Sequence, residues 1–163
     1  MSSDHNLSRS CAADPAAITA VILTVLLQDG ERLTQPRRLI ARQIATWQAA
    51  EQGFTASELW GQVRTTDATI GKSTVLRTCA TLMARGVLEW IPLPGRGGCY
   101  HWPQTTDHHH HLLCTQCHRV VDVALYLSAT VQHQIVARTG FVLTHHRLTL
   151  FGRCTVCQSA ALT

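Results

Sequence analysis

An α+β fold in two small units is predicted by three features of the sequence. Residues 14–86 show helical periodicity with clear start and stop signals, a glycine-rich turn between two apolar runs follows, and two Cys-x-x-Cys pairs bracket residues 114–157. The length of 163 residues suits one ordinary domain or two small ones, and 45% hydrophobic residues can fill a packed core.

The elements follow in order. Asp14 is a good N-cap and Pro15 is tolerated at the first helical position, so a helix runs to about Gln28 and ends at Asp29-Gly30. Thr34 and Pro36 open a second helix, whose Ile40, Ile44 and Trp47 recur at i, i+4, i+7 and form one apolar face before Gly53 stops it. Thr55-Ala-Ser-Glu58 is a capping-box pattern that begins a short helix holding Leu59, Trp60 and Val63. After a polar turn a fourth helix covers 72–85, with Gly86 as its stop. Its inward face is Val75, Cys79, Leu82 and Met83; its outward face is Thr74, Arg77, Thr78 and Thr81. VLEWIPL and CYHW flank PGRGG and read as a hairpin.

Three helices, a polar-faced helix and a hairpin make a winged helix-turn-helix. That fold lays the fourth helix in the DNA major groove and the wing beside the backbone. Lys72, Ser73, Thr74, Arg77 and Thr78 would supply the DNA contacts. Bulk charge does not announce a nucleic acid. The net +4 divides at Trp102 into ten basic and eight acidic residues before it, and four and two after it. A local patch has to carry binding.

After Pro103 the character changes. HHHHLLC and RVVDV read as strands, 124–138 as a helix with Leu127, Val131 and Ile135 on one face, and FVLTHHRLTLF (141–151) as a long strand. Val142, His146, Leu148 and Leu150 share one face of it by period two. This unit is too small to bury its own apolar surface, so dimerisation and metal are expected aids. The reading divides the chain into a winged-helix domain (1–102), a hinge (103–107) and a small α/β dimerisation and metal-binding domain (108–163). The longest apolar run, AVILTVLL at 20–27, is too short for a membrane span, and the first residues lack a signal-peptide pattern. A cytoplasmic protein is expected.

Seven cysteines, an odd number, in a chain without a secretion signal favour metal over disulfides. Cys114, Cys117, Cys154 and Cys157 put two thiolates on each of two tight turns, the pattern of a closed tetrahedral structural zinc. In zinc-finger peptides such a site contributes about 10–16 kcal/mol, which becomes folding free energy. The four consecutive histidines divide by strand alternation: His109 and His111 face one way, His108 and His110 the other. Cys99 and His101, two apart, share a strand face. A zinc enzyme is disfavoured, since there is no HExxH and no His-x-Glu joined to a Cys-x-x-Cys. Cys114 to His118 fits a haem-attachment CxxCH literally, but haem would leave the second pair unexplained.

The blocks RLTQPR (32–37), IGKSTVLRTCATLMARGVL (70–88), HHHHLLCTQCHRVVDV (108–123) and LTHHRLTLFGRCTVC (143–157) together resemble the ferric uptake regulator superfamily over roughly 14–158. The resemblance implies a homodimeric metal-sensing repressor that binds double-stranded operator DNA, with a regulatory metal at the hinge. It assigns the four cysteines to a structural zinc, His109 and His111 to the sensor, and Glu89 to the place where zinc-sensing members put a ligand. A further sensor ligand often lies eleven or twelve residues before the first paired cysteine. Here that is Pro103 or Trp102, which cannot bind, so Cys99 or His101 substitutes, with Asp122 a further candidate. A third site would draw on His108, His110 and His146. Its usual carboxylate falls at Ala129, leaving His133 or Asp122 as replacements. Leu76 stands where the family's helix typically carries tyrosine. One structural and one regulatory zinc per protomer are expected. A Cys99 thiolate in the sensor would favour zinc, whereas imidazoles and carboxylates alone also admit Fe(II) or Mn(II). The zinc uptake regulator branch is the leading expectation. The alternatives are an iron-responsive regulator and a zinc buffer without DNA binding.

Overall fold

Four helices pack first. The computed structural model describes residues 14–28, 32–95, 97–103 and 108–160. Asp14 caps α1 (Pro15–Leu27), its side chain accepting from the Ala16 N–H at 2.9 Å. Ile18, Ile22 and Leu26 of α1 meet Ile40, Ala41, Ile44 and Ala45 of α2 (Gln35–Ala49) in the main core. In α3 (Ala56–Arg64) the capping box closes reciprocally, Thr55 Oγ1 accepting from Glu58 N–H and Glu58 Oε2 from Thr55 N–H. Leu59 and Val63 of α3 join Val75, Cys79 and Leu82 of α4 (Lys72–Ala84) in the same core. Met83, expected inward, is exposed on the last turn of α4.

The hairpin follows as β1 (Glu89–Leu93) and β2 (Gly97–His101), antiparallel with Glu89 opposite His101 and Ile91 opposite Cys99. Phe54, between α2 and α3, pairs with Tyr100 as an isolated bridge, and its ring packs on Trp47 and Tyr100. Gln48, almost wholly buried, exchanges two side-chain bonds with the Trp102 backbone and so fixes the end of the hairpin to α2.

A second sheet has the order β4-β3-β5. β3 (His110–Cys114) runs antiparallel to β4 (Val120–Val123), with His111 opposite Asp122, and parallel to β5 (Thr149–Gly152). The crossover from β4 to β5 contains α5 (Ala129–Thr139), capped by Ser128 and closed by Gly140 at φ 71°. α5 therefore begins at Ala129, after its cap Ser128, rather than at the predicted 124. The predicted strand over 141–151 shrinks to its last residues, because alternation gives a strand its faces but not a partner, and the ladder with β3 starts only at Thr149. No residue of α5 is buried, and Phe141 and Val142 stand 72% and 84% exposed. A short α6 (Thr155–Ser159), which the sequence did not suggest, carries Cys157.

A small apolar cluster of Ile91, Leu93, Cys99, Leu113 and Val120 joins the hairpin to the second sheet. Of the predicted hinge, residues 104–107 lie outside the described residues. Among the described residues no helix is long and apolar enough to cross a membrane.

Candidate metal centres

The four paired cysteines converge. Their sulfurs all lie within 4.8 Å of one another, with Cys117 Sγ 3.7 Å from Cys154 Sγ. Four sulfurs each at about 2.3 Å from one tetrahedral ion stand about 3.8 Å apart, so the spacing fits zinc. The turn after β3 and the start of α6 supply the two pairs. Burial pulls the Cys114 thiol up, but backbone N–H groups at Cys117, Cys154 and Gln116 bring it down to about 6. Cys117 and Cys157 are pushed up, by burial first and then by neighbouring thiols; Cys157 reaches about 12. One sulfur thus ionises readily and raises the cost for the others, which a divalent cation at the centre reverses.

A second group forms around His111, which is almost wholly buried. Its Nε2 lies 3.1 Å from Glu89 Oε2 and its Nδ1 3.2 Å from Asp122 Oδ1. His109 Nε2 is 3.7 Å from the same Glu89 oxygen, and His101 Nε2 is 2.9 Å from Asp122 Oδ1. Glu89, His109 and His111 make one set of converging donors, and His101, His111 and Asp122 another. The geometry follows from strand register. Glu89 and His101 are cross-strand partners in the hairpin, and His111 and Asp122 are cross-strand partners in the second sheet. His101 Nδ1, buried, has no hydrogen-bond partner. Glu89, His109 and His111 Nε2 can hold a divalent cation on one side of the ring, while Asp122, on the Nδ1 side, links His111 to His101.

Cys99 is not in that set. Of the two alternatives, His101 lies with His111 and Asp122, whereas Cys99 packs into the apolar cluster with Ile91, Leu113 and Val120. Burial, then the Glu58 charge, pushes its thiol up to about 12.

The opposite face of the histidine run forms a third group. His108, His110 and His146 converge, with His108 Nε2 3.1 Å from His146 Nε2 and ring centroids 4.5–5.1 Å apart. His110 is fully buried, its Nε2 lacks a hydrogen-bond partner, and burial and then the neighbouring histidines lower its pKa. Neither proposed replacement carboxylate or imidazole joins it: Asp122 belongs to the His111 group, and His133 lies on exposed α5.

On α4, Lys72, Ser73 and Arg77 are exposed and Thr74 half-buried. Thr78 is corrected: it is 1% exposed, and its hydroxyl donates to the Thr74 carbonyl at 2.8 Å, so it floors a groove rather than offering a free donor. Sequence reasoning missed the other wall of that groove, where Arg32, Thr34 and Arg37 at the start of α2 face Thr74, Arg77 and Thr81. Only the RLTQPR block hinted at it.

Winged-helix architecture with clustered sulfur and imidazole donors defines a metal-binding regulator type, and comparison with known proteins agrees. The ferric uptake regulator family model matches residues 28–151, and the chain belongs to that family. The ferric uptake regulation protein of Synechococcus elongatus is 28% identical over 141 residues, 86% of this chain and 95% of that protein. A peroxide-responsive repressor, PerR, of Staphylococcus saprophyticus is 25% identical over 136 residues, 83% of this chain and 88% of that one. A solved zinc uptake regulator complexed with zinc and DNA shares the fold with a TM-score of 0.64 at 19% identity, covering 93% of this chain and 99% of that one. The protein is a metal-responsive transcription regulator and not an enzyme.

Proposed function

We propose that the protein is a zinc-responsive repressor. It acts as a homodimer on double-stranded operator DNA, its sensor is the pocket around His111, and its targets are zinc-uptake genes. One observation carries the reading: the sensor donors come in two facing cross-strand pairs. Glu89 and His101 belong to the hairpin of the DNA-binding unit, and His111 and Asp122, with His109 alongside, to the second sheet. Glu89, His109 and His111 would hold a divalent ion with donors from both units, and Asp122, between His111 Nδ1 and His101, would orient the His111 ring. The division into 1–102, 103–107 and 108–163 follows the same logic. The four cysteines hold a structural zinc that closes the C-terminal unit. His108, His110 and His146 make an all-imidazole set suited to a third zinc.

DNA contact falls to Lys72, Ser73, Thr74 and Arg77 on α4, with Arg32 and Arg37 across the groove to neutralise phosphates. The open apolar surface of α5, Phe141 and Val142 suits a second copy of the chain.

Zinc is supported by the four-cysteine group and by the all-imidazole third group, while the sensor's imidazoles and carboxylates suit zinc, Fe(II) or Mn(II) alike. An iron-responsive regulator is the second reading, supported by Glu89 and Asp122 and by the absence of Cys99 from the pocket. The test is metal content per protomer, taken with operator binding at each occupancy under zinc, Fe(II) and Mn(II). Zinc-dependent operator binding is expected. Operator affinity that ignores zinc would sink the proposal, and a response to Fe(II) alone would replace it by the second reading.

A further inference from the structure

Residues 51–54, between α2 and α3, are hydrogen-bonded on two sides. Phe54 exchanges both backbone bonds with Tyr100 of β2, at 3.0 and 2.7 Å. The residues just before it reach the cysteine knuckle instead. Gly53 N–H donates to the His118 carbonyl at 3.0 Å, and Val120 N–H donates to the Glu51 carbonyl at 2.9 Å, with Gln52 and Arg119 forming a bridge. Arg119 donates twice to Glu51 Oε2, from Nε at 3.0 Å and from its terminal nitrogen at 2.6 Å. Glu58 Oε1 of α3 lies 3.5 Å from His118 Nδ1.

The positive φ of Glu51, 55°, belongs to the C-terminal cap of α2, where the Glu51 N–H donates to the Gln48 carbonyl and the Gln52 N–H to the Trp47 carbonyl, and this cap turns the chain toward the knuckle. One further feature shows that the approach is built. Gly53 leaves little room for a side chain. A Cβ there would stand 3.0 Å from His118 O, 3.0 Å from Val120 Cγ2 and 3.2 Å from Cys99 Sγ. The two nearest neighbours belong to the knuckle turn and the start of β4, and the third to the hairpin, so the tightest contacts are with the second sheet rather than with α2 or α3.

We propose that Glu51, Gly53 and Arg119 are positioning residues that seat the helical DNA-binding unit directly on the four-cysteine knuckle. The structural centre then helps set the geometry in which α4 meets DNA, alongside the sensor pocket. This rests on the reading of α4 as the operator-binding helix. The latch and the sensor favour the same seated arrangement, so a weaker latch must be compensated by more regulatory metal.

The experiment uses the full-length dimer with its structural zinc in place. It compares Gly53→Ala, Arg119→Ala and the charge swap Glu51→Arg/Arg119→Glu. Small-angle scattering, zinc content and the free zinc needed for half-maximal operator binding are measured for each. For Gly53→Ala a wider scattering profile is expected, with structural zinc and dimer unchanged and a zinc requirement raised roughly tenfold, the size of an ordinary packing defect. Arg119→Ala should raise the requirement about threefold, as suits a partly exposed ion pair, and the swap should recover most of that loss. Wild-type scattering together with a wild-type zinc response in Gly53→Ala would overturn the proposal, as would a swap that recovers nothing. If Gly53→Ala folds poorly, the Arg119 pair of variants decides alone. If the wild-type protein binds no operator, it is the DNA-binding reading that fails, and scattering alone still tests the latch.

Discussion

The four-cysteine centre and the histidine–carboxylate pocket sit at opposite ends of one strand, β3, yet they are assembled differently. Cys114 and Cys117 leave the end of β3 and meet Cys154 and Cys157 from the same unit. At the start of the strand, His109 and His111 meet Glu89 and His101 from the hairpin that follows the DNA-binding helices. A site whose donors all come from one small unit stabilises that unit. A site whose donors come from two units stabilises their arrangement. On the proposed function, the same strand would carry a staple at one end and a coupling point at the other.

The comparison breaks most severely at the staple. Cys114→Ser or Cys154→Ser should remove zinc worth about 10–16 kcal/mol of apparent folding free energy in isolated zinc modules. Loss of the folded C-terminal unit and of the dimer is expected, read by zinc content, circular dichroism and sedimentation. A folded dimer in either variant would mean that the centre is not structural. Next comes His111→Ala, which deletes the one ring facing both carboxylates. Sensor-site zinc affinity should fall by at least about 100-fold, beyond the usual effect of losing a supporting partner, while the dimer remains. Titration calorimetry on protein already holding its structural zinc measures this. Should His111→Ala unfold the protein as the cysteine variants do, the division into two kinds of centre is wrong.

Smaller effects sharpen the division. His101→Ala should weaken sensor zinc by about 10–100-fold, the range found when residues around a bound metal are altered. Cys99→Ala should leave the sensor unchanged and cost only about 1–2 kcal/mol of stability, as the loss of one buried sulfur from the small cluster. Denaturant unfolding and zinc titration of the two variants side by side would reveal an exchange of roles if Cys99→Ala were the one to lose metal.

Legibility in the sequence was greatest where chemistry is local. Asp14, Pro15 and the Thr55–Glu58 box announced helix starts that the fold uses, and the glycine turn announced the hairpin. The paired cysteines and the alternating histidines announced groupings that the structure brings together, although period two alone says nothing about what each face meets. Local patterns could not choose between Cys99 and His101. Both lie on β2 two residues apart, and only the docking of the hairpin on β3 and β4 sends one to Asp122 and the other into an apolar cluster. Thr78 misled because helical spacing marks a face but not its edge, where a hydroxyl can bond back into its own helix. The stretch 141–148 alternates like a strand while having no strand partner among the described residues.

The parallel pairing of β3 with β5 also bears on how the protein is made. Parallel strands need a crossover, so the second half of the cysteine centre arrives only after α5 and β5. On the ribosome every donor of the histidine–carboxylate set has been synthesised by Asp122, which is 35 residues before Cys157. Chains emerge from the N-terminus and local units form first. On the proposed function, a nascent polypeptide would hold all its coupling donors before the donors of its staple are complete.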